Sequence, residues 1–269
     1  MLHATHVVLL VVDGLRPDAL SPARTPEIDR LAAGGAFCAH AQAVIPSITL
    51  PCHASMLCGV PPQRHGVLSN VWLPPRPPVP SLIDLVHHAG LGTASFFSWE
   101  ELRDLSYPES LDFSYYRRRE PEEECELEIG AQAGRYFTAH RPALSFVYLG
   151  MADGVAHDHG WMSARYLRAV AAADQAIGLV RRAVQEAGCL EQTAFLVLAD
   201  HGGHGLVHGD DIPEDLTIPW LISGPGIRRG HPITSPVNIV DTAPTLAHLL
   251  GLTAPAEWSG QIVKEALAS

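Results

Sequence analysis

The chain has 269 residues, and its 18 Lys and Arg against 29 Asp and Glu leave a formal charge of −11. That balance excludes a surface built to track a nucleic-acid polymer, which needs clustered cations, and Lys264 is the only lysine. An acidic chain can still act on an anionic substrate, because bound dications dominate the local field. A hydrophobic fraction of 47% supplies a substantial core, and the length fits one large α/β domain over residues 1–269. Five cysteines, an odd number without paired metal spacing, read as small buried residues in a reducing compartment. No apolar run approaches the ~20 residues that span a bilayer, and Met1 leads almost directly into the first strand without a basic leader. A soluble cytoplasmic protein, its oligomeric state open, is the expectation.

Residues 6–12 read as a buried central strand ending at Asp13-Gly14. Thr25 and Pro26 open a short helix as N-cap and first residue, and Gly34-Gly35 stops it. A strand around 36–44 follows, then a Pro46–Pro51 turn that feeds a helix ending near Gly59. Residues 73–80 are proline-dense and predict an extended loop. A helix over 81–89 closes at Gly90, and 92–97 is the next strand. The stretch 100–128, with Arg117-Arg118-Arg119 before many glutamates, is the least regular part and reads as a solvated connection and helix start, with a substrate lid as the functional alternative. Segments 71–80 and 100–128 are therefore the candidate walls of a substrate pocket. Apolar residues from Leu167 to Val184 recur with helical period over 163–186. Thr217–Ser223 is a strand, and Asp241 caps a last long helix through Leu250. Strands alternating with helices predict a mainly parallel central sheet with helices on both faces, without a large cap domain.

Aspartate and histidine cluster where three of these strands end. Asp13 follows Val7–Val12, Asp153 and His157 follow Leu144–Leu149, and Asp200 and His201 follow Phe195–Ala199, with His208 shortly after. Ligands of parallel α/β proteins bind outside the carboxyl ends of the strands. Carboxylate and imidazole delivered by three such ends suit a two-metal hydrolytic centre. Asp153 and His157 lie one helical turn apart, so both can face one ion. Thr49 adds a hydroxyl near a helix start, where the dipole favours a developing anion; its plain reading is a cap.

The run Val8–Asp18 resembles the opening of the alkaline phosphatase superfamily, in particular its nucleotide pyrophosphatase/phosphodiesterase branch. Residues 46–53 are similar to that branch's nucleophile motif, and the clusters at 153–157, 200–202 and 208–210 resemble its remaining metal motifs in order. The resemblance spans about residues 6–250. It implies a phosphodiesterase acting on a small phosphate ester through a covalent phospho-threonine on Thr49. It further implies two divalent ions, most readily zinc, with manganese or iron not excluded. One would be held by Asp13, Thr49, Asp200 and His201, the other by Asp153, His157 and His208. His204 competes for the last place, but Gly209-Asp210 and the spacing to the 218–223 strand match the family better from His208. Asn70 matches the asparagine that holds a phosphoryl oxygen. Leu50 stands where nucleotide-cleaving members carry a stacking aromatic, and Tyr148 is the candidate to supply one stacking face instead. Cys52 lacks the Cys-x-Pro-x-Arg context of a sulfatase. Phosphonate or phosphomonoester hydrolysis, and a non-catalytic metal-binding protein, are the alternatives.

Overall fold

The computed structural model describes residues 3–71, 79–118 and 123–268. Among them eight strands form one sheet: β1 (His6–Val12), β2 (Gly35–Gln42), β3 (Thr93–Phe97), β4 (Phe113–Tyr116), β5 (Leu144–Leu149), β6 (Thr193–Leu198), β7 (Thr217–Ser223) and β8 (His231–Pro232). Their order is β4-β3-β5-β1-β6-β7-β2-β8. Every residue of β1, β5 and β6 is buried, as unbroken aliphatic runs demand of strands covered on both faces. β1 lies between β5 and β6 and runs parallel to both. Only β7 is reversed, pairing antiparallel with β6 and β2. The double reversal leaves β2 pointing the same way as β1.

The helices are α1 (Pro26–Gly34), α2 (Thr49–Cys58), α3 (Pro62–His65), α4 (Leu82–His88), α5 (Glu123–His140), α6 (Met151–His159), α7 (Ala164–Glu186), α8 (Pro213–Leu216) and α9 (Thr242–Leu249). One layer packs α1, α5 and α6 around α7, and the other joins α2, α3, α4 and α9, which gives the expected sheet with helices on both faces. Across the described residues no helix is long and apolar enough to cross a membrane. All five cysteines are buried, as expected of small core residues.

Several local expectations change. The Thr25 side chain makes no cap; Asp174 on α7 accepts instead from the N–H groups of Glu27 and Ile28, so a tertiary carboxylate does the capping. Asp241 does not cap α9 either, because its carboxylate accepts from Asn238 N and Gln261 N, and that helix is only eight residues long. The stretch 100–128 does hold the expected helix start, that of the 18-residue α5, but it also holds an edge strand, β4. Of the proline-dense loop, residues 72–78 lie outside the described residues, as do 119–122 of the second candidate pocket wall.

Candidate active site

The sheet register brings the site together. Val12 is level with Leu149 and Val11 with Leu198, so Asp13, the start of α6 and Asp200 leave the sheet at one end. β2 also ends there, and the chain runs from Gln42 through Ser47 to Thr49, the first residue of α2. Gly14 makes the turn after β1 with φ of +67°, a conformation that favours glycine. Its N–H donates to Asp200 Oδ1 at 3.2 Å, while its carbonyl accepts from Trp161 Nε1 and Tyr166 Oη. The turn is thereby held from three elements.

Three histidines share one device. Nδ1 of His201 lies 2.8 Å from Gly202 O, Nδ1 of His157 2.8 Å from Leu206 O, and Nδ1 of His208 2.8 Å from Ser47 O. A ring nitrogen that donates to a carbonyl leaves the opposite nitrogen, Nε2, as a lone pair for a cation. His201 Nε2 lies 3.2 Å from Thr49 Oγ1, 3.3 Å from Asp13 Oδ1 and 3.4 Å from Asp200 Oδ2. Tetrahedral donors around zinc, at bond lengths near 2.0 Å, stand about 3.3 Å from one another. Asp13 Oδ1 and Asp200 Oδ2 are buried without a hydrogen-bond partner among the described residues. Four donors at ligand spacing, two of them orphaned oxygens, fit a divalent ion.

The second group is Asp153, His157 and His208. His157 Nε2 is 3.2 Å and His208 Nε2 3.6 Å from Asp153 Oδ1. The rings of His201 and His208 stack at 3.8 Å, so the two groups adjoin. His204 is turned away: its Nδ1 lies 2.8 Å from Asp215 Oδ1, and it groups with Asp210 and Asp215.

Electrostatics show what the bare site lacks. Burial raises Asp13 well above the usual carboxylate range, and the charges of Asp200 and Asp153 push it further. Burial likewise lifts Asp200 to about 7, helped by Asp153. Burial opposes ionisation of Asp153 too, but its His157 hydrogen bond and the neighbouring imidazoles win, holding it at about 2. His157 rises to about 9 through that bond, whereas burial drops His208 to about 4. Three carboxylates crowded this closely favour nearby positive charge, which divalent cations would supply.

Around these groups the structure corrects two expected substrate contacts, Leu50 and the stacking candidate Tyr148. Leu50 is fully buried and presents only its backbone N–H, which donates to Asn70 Oδ1 at 2.9 Å. Tyr148 is also buried, and its hydroxyl donates to Asp13 Oδ2, so the ring orients a carboxylate rather than facing a ligand. His53 closes the motif of residues 46–53 and fixes the backbone around it. Its Nδ1 lies 2.8 Å from Thr49 O and 3.4 Å from Asp200 Oδ2, tying the start of α2 to the end of β6. Trp161, which sequence reading missed, sets its ring edgewise to His157 at 5.3 Å. No periodicity marks such a residue, because its partners lie far along the chain.

The family model for type I phosphodiesterase / nucleotide pyrophosphatase matches residues 7–217. Ectonucleotide pyrophosphatase/phosphodiesterase family member 3 of Rattus norvegicus is 25% identical over 217 residues, covering 73% of this chain and 24% of its own. An arylsulfatase of Volvox carteri is 42% identical over 97 residues, 32% of this chain and 15% of its own. The chain thus spans a quarter or less of the length of these two curated relatives. Among solved structures, an inactive murine ectonucleotide pyrophosphatase/phosphodiesterase 5 in complex with AMP superposes with a TM-score of 0.82 at 17% identity, covering 98% of this chain and 100% of that one. A phosphonate monoester hydrolase from Silicibacter pomeroyi has a TM-score of 0.73 at 17% identity, covering 97% and 76%. At these identities the structural likeness establishes the fold alone.

Proposed function

Because the chain belongs to the type I phosphodiesterase / nucleotide pyrophosphatase family, we propose that it is a two-metal phosphodiesterase working through Thr49. The observation that carries this is the Thr49 hydroxyl, at the first residue of α2, 3.2 Å from a His201 nitrogen that also faces Asp13 and Asp200. Asp13, Thr49, Asp200 and His201 would hold one divalent ion, and Asp153, His157 and His208 the other. Nitrogen and oxygen donors suit zinc and leave manganese or iron open. When bound, such ions stabilise charge on phosphoryl oxygens and lower the pKa of a hydroxyl or water.

Thr49 Oγ forms the new bond to phosphorus while the bond to one alcohol oxygen breaks. The hydroxyl proton passes to solvent, and the alcohol takes up a proton as it leaves. Water then cleaves the phospho-threonine, restoring the hydroxyl and releasing a phosphate monoester. Asn70 is oriented for the transferred group: its carbonyl oxygen is held by Leu50 N–H, so its amide hydrogens are available to a phosphoryl oxygen. Sulfatase chemistry, despite the Volvox relative, is disfavoured, since Cys52 is fully buried with its thiol donating to Pro46 O.

Hydrolysis of bis(p-nitrophenyl) phosphate by zinc- or manganese-loaded protein tests the reading. Inactivity of the fully metallated protein on diesters, monoesters and phosphonates alike would leave a non-catalytic metal-binding protein. Two variants sharpen it. Asn70→Ala should lower kcat/KM about 10- to 100-fold with metal content unchanged, and an unchanged rate removes Asn70 from the mechanism. His208→Ala should lose one of two bound ions by elemental analysis and lower activity at least ~100-fold, while His204→Ala keeps both. The reverse pattern would give His204 the ligand role.

A further inference from the structure

Single exposed aliphatic side chains are ordinary, but their concentration in one place is not. Seven large hydrophobic residues stand exposed among the described residues: Ile45, Leu68, Val71, Tyr107, Tyr116, Leu206 and Val207. Five of them, 48% to 68% exposed, lie in the three segments that deliver the active site. Leu206 and Val207 directly precede His208, and the Leu206 carbonyl is the partner of His157 Nδ1. Leu68 and Val71 flank Asn70, and Ile45 lies two residues before Ser47, whose carbonyl lies against His208 Nδ1. All five are aliphatic. Leu50, at the position where nucleotide-cleaving relatives carry an aromatic, and Tyr148, the candidate stacking face, are both buried.

Resting on the phosphodiesterase reading, we infer that the substrate is a phosphodiester carrying an aliphatic alcohol arm, bound along this rim, rather than a nucleotide. The occupant follows from continuity: each apolar residue is joined through its own backbone segment to a group proposed to act on the phosphate. An alkyl chain gains from leaving water against branched aliphatic side chains and needs neither stacking nor hydrogen bonds. A nucleoside base gains no aromatic stacking partner from these five aliphatic residues.

The test uses the metal-loaded full chain and the monomeric methyl, butyl and octyl esters of p-nitrophenyl phosphate, with thymidine 5′-p-nitrophenyl phosphate beside them. The expected result is a kcat/KM that rises at least about tenfold from methyl to octyl and exceeds that of the thymidine ester. Leu206→Ser combined with Val207→Ser should flatten the series by about tenfold, mainly through KM. Leu68→Ser combined with Val71→Ser serves if the first pair does not fold. A diacyl phosphodiester in phosphatidylcholine vesicles separates sources: cleavage assigns a membrane lipid, and cleavage of the soluble octyl ester alone assigns a free alkyl ester. A series indifferent to chain length, or a preference for the thymidine ester, overturns the inference and leaves the phosphodiesterase reading standing. Failure to cleave any ester overturns both.

Discussion

Thr49→Ala should abolish turnover, lowering kcat on the order of 10³-fold or more, while the protein stays folded. The hydroxyl is the atom proposed to bond phosphorus, and it lies 3.2 Å from His201 Nε2. Little else depends on it. Thr49 begins α2, and the helix takes no side-chain cap from its preceding residue. Its backbone is fixed independently, since the Thr49 carbonyl meets His53 Nδ1 and the following N–H meets Asn70. Loss of one hydroxyl in this setting should change stability by about 1 kcal/mol. Asp13, Asp200 and His201 remain to bind metal, so elemental analysis should still find two ions, the first more weakly held. Rapid acid quench of a substrate labelled in phosphorus should trap label on the wild-type chain and none on the variant. A variant that turns over normally would rule out the covalent route.

How far the sequence carried is best seen by comparing β1 with α5. The run Val7–Val12 is buried at every position, and a strand covered on both faces can be built only from such residues. Its termination in Asp13-Gly14 signals a site for the same local reason. α5 has no such signature, because Gly130 and Gly134 lower its helix propensity and its first turn is glutamate-rich. Those glycines are what the packing requires. A Cβ at Gly130 would come within 2.6 Å of Ala176 O, and one at Gly134 within 2.8 Å of Ala183 Cβ, both on α7. Close approach to another helix is invisible until the other helix is placed. The site divides the same way. Asp13, Asp153, His157, Asp200 and His201 are legible because strand ends and helical spacing are local patterns, whereas only the family resemblance separates His208 from His204. The burial of Leu50 and Tyr148 depends on layers that meet only in the folded chain, so a substrate contact could be read for them, and a stacking face for Tyr148, and not sustained.

On the two-metal reading, metal-free protein should lose stability as pH rises from about 6.5 to about 9. In the bare site Asp13 and Asp200 are raised chiefly by burial, and His157 is raised to about 9 chiefly by its hydrogen bond to Asp153. The folded state therefore holds protons that the unfolded chain gives up at lower pH. Stability from such groups is complete below the unfolded pKa and is lost as pH climbs through the folded one. For His157 that window runs from about 6.5, the unperturbed value, to about 9, and Asp200 adds to the same fall up to about 7. His208 and His53 are lowered by burial, to about 4 and about 3, and act in the opposite sense. Their contribution rises only up to about pH 6.5, above which both are neutral in either state, so it cannot mask the decline. Dications reverse the trend, because they bind the ionised carboxylates and the neutral imidazoles and expel the protons. At a hundredfold excess over its dissociation constant, each ion adds about 2.7 kcal/mol. The melting temperature of chelator-treated protein, measured from pH 6.5 to 9, should decline steadily. Zinc should raise it by several degrees, and by more at pH 8.5 than at pH 6.5. A chelated protein with a flat profile and no response to zinc, manganese or iron would mean that these carboxylates and imidazoles do not form a metal site.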